Sequence, residues 1–78
     1  MNPEKIQQLI EQNMQGAEVS VSGAEGKYIA EVTSDAFDGL MTIKRHKIVY
    51  ACVNAEIASG ELHALTIVAK TLAERADG

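Results

Sequence analysis

The sequence predicts an α+β domain with the element order αββαβ, in which two helices pack on one face of a three-stranded sheet. Three observations lead to this prediction: apolar residues at helical spacing in two segments, period-two alternation in three others, and glycines between them. A hairpin alone could not support two helices, so the last strand is expected to join it. The 78 residues leave room for one domain, residues 1–78, with a modest core.

The first half of the chain predicts a helix followed by a β-hairpin. Asn2 is a good N-cap, and Pro3 suits the first helical position. Apolar residues then recur at helical spacing, namely Ile6, Leu9, Ile10 and Met14. Alternating segments on either side of Gly23–Gly26 predict two strands joined by a turn at these residues.

The second half predicts a loop, a long helix and a third strand. Residues 34–39 are expected to form a loop, with room for one helical turn. A helix is expected from about Met41 to Ala58, with Gly60 as its stop. Its apolar stripe is expected to consist of Met41, Ile48, Cys52 and Ala55, with Val49 and Val53 beside it. A strand around Leu65 and Ile67 then leads into a short tail.

Composition and charge exclude several classes of function. Seven basic and 11 acidic residues give a net charge of −4, which argues against general affinity for nucleic acid. One cysteine, Cys52, excludes an internal disulfide and a zinc knuckle and fits a reducing cytoplasm, where we expect the protein. No apolar run approaches membrane-spanning length, so no membrane partner is expected. No acid or serine is placed with an activating base, so a non-enzyme is predicted.

Two segments carry a resemblance to a known family. Residues 37–50 read FDGLMTIKRHKIVY and residues 62–67 read LHALTI, and each contains one of the two histidines, His46 and His63. Together with the helix–hairpin–helix–strand order, they resemble the BolA family, in particular its short YrbA/IbaG-type branch, over residues 6–70. The resemblance implies a type II KH-like topology. It also implies a partner of monothiol glutaredoxins in iron–sulfur and iron homeostasis.

His63 is the predicted metal ligand. A neutral imidazole at a strand entrance, beside a helix C-terminus, can ligate iron. The resemblance implies that it supplies a ligand to a [2Fe–2S] cluster shared with a monothiol glutaredoxin. The chain alone would then be a monomer without a cofactor, and the complex a heterodimer. The alternative is a histidine that closes the end of the core with a satisfied hydrogen bond.

The second cluster ligand is not evident. In many relatives of the family the loop between the first two strands carries a histidine or cysteine, but residues 22–28 read SGAEGKY. Glu25 would be a poor substitute, because carboxylates are harder ligands than this chemistry usually employs. Cys52 is expected in the core, so either His63 serves alone or the partner fills the gap. Gly23–Gly26 also matches the GxxG clamp of KH domains, but it joins two strands, which favours a plain hairpin turn.

The tetrad Lys44–Lys47 is the one local excess of positive charge. Basic residues at a helix N-terminus oppose the helix dipole, and an anionic partner surface, steered in by Arg45 and Lys47, could compensate for this placement. Three interpretations stay open: a solvated face, a surface that steers glutaredoxin, or a DNA contact. The DNA contact would make the chain a KH-like transcription regulator of the stress response, which is the alternative function. The candidate partner-binding residues are Lys44, Arg45 and Lys47.

Overall fold

The structure, a computed structural model, describes residues 1–77 and shows a mixed three-stranded sheet with helices packed against it. The elements are α1 (Pro3–Asn13), β1 (Glu18–Ala24), β2 (Lys27–Thr33), a 3₁₀ turn (Asp35–Phe37), α2 (Thr42–Cys52), α3 (Asn54–Ser59), β3 (Ala64–Lys70) and α4 (Leu72–Asp77). The α+β class and the predicted order of the main elements are confirmed.

The sheet has β2 in its centre, antiparallel to β1 and parallel to β3. Lys27, at the start of β2, lies opposite Ala24 of β1 and Ala64 of β3. The hairpin turn and the entrance to β3 therefore meet at one end of the sheet. The inward residues of β2 are those predicted by alternation, Tyr28, Ala30 and Val32.

The core forms between one face of the sheet and the helices α1 and α2. The fully buried large side chains are Phe37, Ile6, Ile10, Leu62, Val32, Val49 and Val53. Burial of each such side chain stabilises the fold by about 1.5–3 kcal/mol before entropy is counted. The first helix begins as predicted, since the Asn2 side chain accepts a hydrogen bond of 2.8 Å from the Lys5 N–H.

The prediction of one continuous helix from Met41 to Ala58 is wrong, because the helix breaks at Val53. The backbone of Val53 is not helical (φ −123°, ψ 21°), and its N–H donates to the Tyr50 carbonyl three residues back. Its side chain is nevertheless fully buried. The chain thus turns where Val53 enters the core, and α3 beyond it has no buried residue.

The predicted apolar stripe of this helix also needs correction. Met41 is 80% exposed because it precedes the first helical residue, and Ala55 is exposed because it lies beyond the break, in α3. The buried stripe consists of Val49, Cys52 and Val53, with Ile48 partly buried beside it. Gly60 ends α3 in the left-handed conformation (φ 84°), as predicted.

The predicted short tail is instead a helix, α4. Its start is a capping box: the Thr71 N–H donates to Glu74 Oε1 at 2.8 Å, and the Glu74 N–H donates to Thr71 Oγ1 at 3.1 Å. These reciprocal bonds satisfy two main-chain donors and set the direction in which the chain leaves β3. Across residues 1–77, no helix has the length and apolar character needed to cross a membrane.

Candidate functional site

His63 lies in a short connection whose two neighbours are both anchored. Leu62 is buried, and its N–H donates to the Glu56 carbonyl at 3.1 Å. Ala64 begins β3, and its N–H donates to the Gly26 carbonyl at 3.2 Å. The side chain of His63 itself is exposed. The fold therefore holds the main chain on both sides of His63 while it leaves the imidazole at the surface.

The imidazole of His63 lies between two glycine turns. A Cβ atom built on Gly26 would come within 3.8 Å of His63 Cδ2, and one built on Gly60 would come within 4.0 Å of His63 Cε1. A side chain at either glycine would thus reach the ring, whereas the two glycines leave space beside it. The imidazole makes no hydrogen bond within the described residues 1–77. Both ring nitrogens are free of intramolecular hydrogen bonds in this part of the chain.

The hairpin turn beside His63 offers no strong second ligand. Glu25 (φ 56°) and Gly26 (φ 82°) form a two-residue turn with both residues left-handed, the geometry that joins antiparallel strands with the correct twist. Glu25 is exposed, and so are Ala24 and Lys27 on either side of the turn. Within residues 1–77, no three His, Cys, Asp or Glu side chains come together to hold a metal ion. The described chain thus presents His63 as a single ligand, not as part of a complete site.

The segment Gly23–Gly26, which matches the GxxG pattern, forms the predicted hairpin turn between β1 and β2. At Gly23 (φ 123°), a Cβ atom would lie 2.2 Å from the Lys27 carbonyl oxygen, so only glycine fits. The close approach of the two strands, and not a phosphate clamp between helices, accounts for this glycine.

Cys52 is part of the core, as predicted. Its thiol is buried in the stripe of α2 and contacts the Ile48 carbonyl oxygen, with the Sγ atom 3.4 Å away. Burial raises the pKa of the Cys52 thiol above its ordinary value. The group is therefore held in its neutral form, which is a poor ligand and a poor nucleophile.

The basic tetrad is divided by the fold. Lys44 and Lys47 are exposed on α2, and their predicted role in partner binding stays a prediction. The Arg45 side chain, in contrast, is only 13% exposed, and its guanidinium points toward the Leu40 and Ala69 carbonyl groups. The structure therefore does not present the three predicted residues as one free surface.

The Arg45 guanidinium joins four parts of the chain. Its Nε donates to the Leu40 carbonyl at 2.7 Å, and its Nη1 donates to the Ala69 carbonyl at 3.2 Å. Nη1 and Nη2 bind the two carboxylate oxygens of Glu74 at 2.6 and 3.2 Å. The guanidinium carbon also lies 6.0 Å from the ring centroid of Phe37, at the limit of a cation–π contact. Arg45 thus connects the 3₁₀ turn, α2, β3 and α4.

Glu74 is the anionic side chain that pairs with Arg45. The hydrogen bond from Arg45, followed by the one from the Thr71 N–H, lowers the pKa of the Glu74 carboxyl to about 2. The same pairing with Glu74 raises the pKa of Arg45. The sequence analysis missed this contact. The spacing Thr71-x-x-Glu74 is the capping-box signature and could have revealed α4, but not its partner on α2.

His46 and His63 lie at opposite ends of β3. Arg45 contacts Ala69, and Tyr50 contacts Leu65, so α2 runs antiparallel to β3. His46, next to Arg45, is accordingly beside the end of β3, whereas His63 precedes its start. Since strands rise about 3.3 Å per residue, roughly 15–20 Å of sheet separates the two regions. His46 is therefore not placed to complete a site at His63.

The chain is similar to known proteins over nearly its whole length. The family model for BolA-like proteins matches residues 3–74, nearly the whole chain. The chain belongs to the BolA-like family. It is 40% identical over 74 residues to an uncharacterized protein in the rpoN-murA intergenic region of Acinetobacter guillouiae, a match that covers 95% of this chain and 89% of that one. The predicted family membership is confirmed.

Solved structures of BolA-like proteins share the fold. A bolA protein homologue from Coxiella burnetii superposes with a TM-score of 0.88 at 27% identity, over 97% of each chain. The BolA domain of SufE1 from Arabidopsis thaliana superposes with a TM-score of 0.79 at 34% identity, over 92% of this chain and 93% of that one. These likenesses extend over nearly the whole length of the chain.

Proposed function

We propose that this BolA-like chain binds a monothiol glutaredoxin and helps to hold or transfer a shared [2Fe–2S] cluster, with His63 as its ligand. The observation that carries the proposal is the position of His63. Its imidazole is exposed and makes no hydrogen bond within residues 1–77, while both neighbouring residues are anchored by main-chain bonds. A histidine that merely closed the core would be expected to lie buried with a satisfied nitrogen.

The donor set fits a cluster that is shared, and does not fit one held by this chain alone. Imidazole replaces thiolate at some [2Fe–2S] centres and raises their reduction potential. The described residues supply one such donor at this place, and the buried Cys52 thiol is not available to the surface. The remaining ligands would therefore come from the partner. On this proposal the isolated chain is a monomer without a cluster, and the loaded form is a heterodimer.

The role proposed for the chain is that of a binding protein and not of an enzyme. His63 would bind iron, and the anchored Leu62 and Ala64 would keep the ring in place at the junction of the two turns. The cluster would supply the redox or transfer chemistry when bound. No step of that chemistry requires an acid, base or nucleophile from this chain.

The test is anaerobic co-purification of the chain with a monothiol glutaredoxin, followed by visible absorption and circular dichroism of the complex. His63→Ala should alter or abolish the spectrum of the shared cluster. His46→Ala is the matched control, because it removes the other histidine, at the far end of α2, and should leave the spectrum unchanged. Both variants should retain the far-ultraviolet spectrum of the folded domain. An identical cluster spectrum and lability in wild type and His63→Ala would contradict the ligand assignment.

The alternative of a DNA-binding regulator of the stress response has less support. The net charge is −4, and the Arg45 side chain is engaged by Glu74 within the chain. Lys44 and Lys47 alone leave a small basic surface for phosphate groups. A dependence of DNA affinity on salt, with a log–log slope near −0.9 per phosphate contact, together with a sequence preference, would favour this alternative instead.

A further inference from the structure

The helix α4 is held to the domain mainly by charged side chains. None of its six residues is buried, and its largest apolar side chain, Leu72, is 43% exposed. Glu74 binds Arg45, and Arg75 forms an ion pair with Glu18 of β1. A helix of this length is not stable by itself in water. The docking of α4 therefore depends on these ionic contacts, which salt weakens.

A surface pocket borders α4. This open pocket has a volume of about 500 Å³. It is lined by Leu72 and Arg75 on the side of α4, and on the other side by residues that include Gln15, Thr33 and Asp35. Since no residue of α4 belongs to the buried core, detachment of α4 would remove no core side chain.

The Arg45 guanidinium does not depend on α4 for its position. The Leu40 and Ala69 carbonyls accept hydrogen bonds from Nε and Nη1, and both acceptors lie outside α4. If Glu74 leaves, the N–H groups of Nη1 and Nη2 that it bound remain in place as a fork. Such a fork binds a carboxylate in a bidentate manner.

We propose that α4 is an electrostatic strap whose Glu74 masks the Arg45 fork, and that opening of the strap presents this fork to an acidic segment of a protein partner. A carboxylate is the favoured occupant because a carboxylate, that of Glu74, fills the fork in the closed state. The fork lies at the end of β3 opposite to His63, so the strap does not rest on the proposed cluster function.

The opening of the strap can be measured by amide hydrogen exchange in the native protein. Three main-chain amide groups report on the closed state. The Thr71 N–H donates to Glu74 Oε1, and the Glu74 N–H donates to Thr71 Oγ1. The Arg75 N–H donates to the Thr71 carbonyl oxygen. Their exchange should accelerate several-fold from low to high sodium chloride, while the Val32 amide in the central strand should not respond. Equal salt responses at Val32 and at the three reporters would overturn the strap.

The masking of the fork can be measured with hexaglutamate as the probe, by following the Arg45 Nε–H resonance. Glu74→Ala should bind the peptide several-fold more tightly than the wild type, and Glu74→Gln should lie between them. Glu61→Ala is the matched control, because it removes an equal charge and the Glu61 carboxylate binds Ser59 and not Arg45. This variant should bind the peptide as the wild type does. Equal affinities of Glu74→Ala and Glu61→Ala would overturn masking by Glu74. Tighter binding of a duplex oligonucleotide than of hexaglutamate by Glu74→Ala would overturn the acidic protein segment as the occupant.

Discussion

The Tyr50 hydroxyl on α2 donates a hydrogen bond to the Leu65 carbonyl oxygen on β3, at 3.2 Å. Ala64 directs its N–H toward β2, so the next residue, Leu65, directs its carbonyl toward the free edge of the sheet. Arg45 meets the Ala69 carbonyl on the same edge. Two side chains of α2 thus bind main-chain groups of β3 that have no neighbouring strand. We infer that α2 protects this edge from pairing with another chain.

Tyr50→Phe should destabilise the fold modestly, because it removes the hydroxyl while it retains the ring. A single hydrogen bond of this kind contributes about 0.5–1.5 kcal/mol to the free energy of unfolding. Urea denaturation would measure the change. A midpoint equal to that of the wild type would show that water replaces the Tyr50 bond without loss.

Gly23→Ala should destabilise the protein strongly, and far more than Gly16→Ala. Both glycines have a positive φ, but a Cβ on Gly23 would clash with the Lys27 carbonyl oxygen at 2.2 Å, whereas one on Gly16 would meet nothing within 4 Å. Backbone strain alone costs about 1–3 kcal/mol at such positions, and the clash adds to it at Gly23. Thermal unfolding of the two variants would compare them. Similar melting temperatures would contradict the close approach of the strands.

The Cys52 thiol should react slowly in the native protein and rapidly in denaturant. Its burial raises the pKa of the thiol, which lowers the fraction of reactive thiolate at neutral pH. The measurement is the rate of modification by a disulfide reagent with and without guanidinium chloride. Rapid stoichiometric modification of the native protein would place Cys52 at the surface and return it to the candidate ligands.

The contribution of Glu74 to stability should disappear in acid. The pKa of its carboxyl in the folded protein is about 2, below the ordinary 4.5, so the folded state favours the charged form. The stabilisation is therefore complete above about pH 4.5 and is lost as the pH falls toward 2. Wild type should melt at a higher temperature than Glu74→Gln at pH 7, and the difference should vanish near pH 2. A constant difference across this range would contradict the Arg45–Glu74 ion pair.

Reversal of the two exposed lysines should affect association more than stability. Lys44→Glu combined with Lys47→Glu should slow the association with glutaredoxin, mainly in the on-rate and at low salt. Since both side chains are exposed, the free energy of unfolding should change by less than about 0.5 kcal/mol. Arg45→Ala is the informative comparison, because it should lower stability through the lost contacts to Leu40, Ala69 and Glu74. An unchanged on-rate in the lysine variant would favour a merely solvated face.

Local patterns in the sequence determined the class of the fold, the order of its main elements and the core positions of α1 and β2. They also placed His63 at the entrance to β3 and Cys52 in the core, because alternation, helical spacing and glycine stops act over a few residues. These local patterns did not predict the break at Val53. No glycine or proline marks the break, and the buried side chain of Val53 lies at the residue where the helix turns.

The division of the basic tetrad was decided by tertiary structure alone. In the sequence Arg45 stands between two similar cations, and Glu74 is 29 residues away. Only the antiparallel course of α2 along β3 brings the Arg45 guanidinium to the Ala69 carbonyl and to the start of α4. The charge of each residue is a property of the sequence, but the partner of that charge depends on which distant segments the packed core holds together.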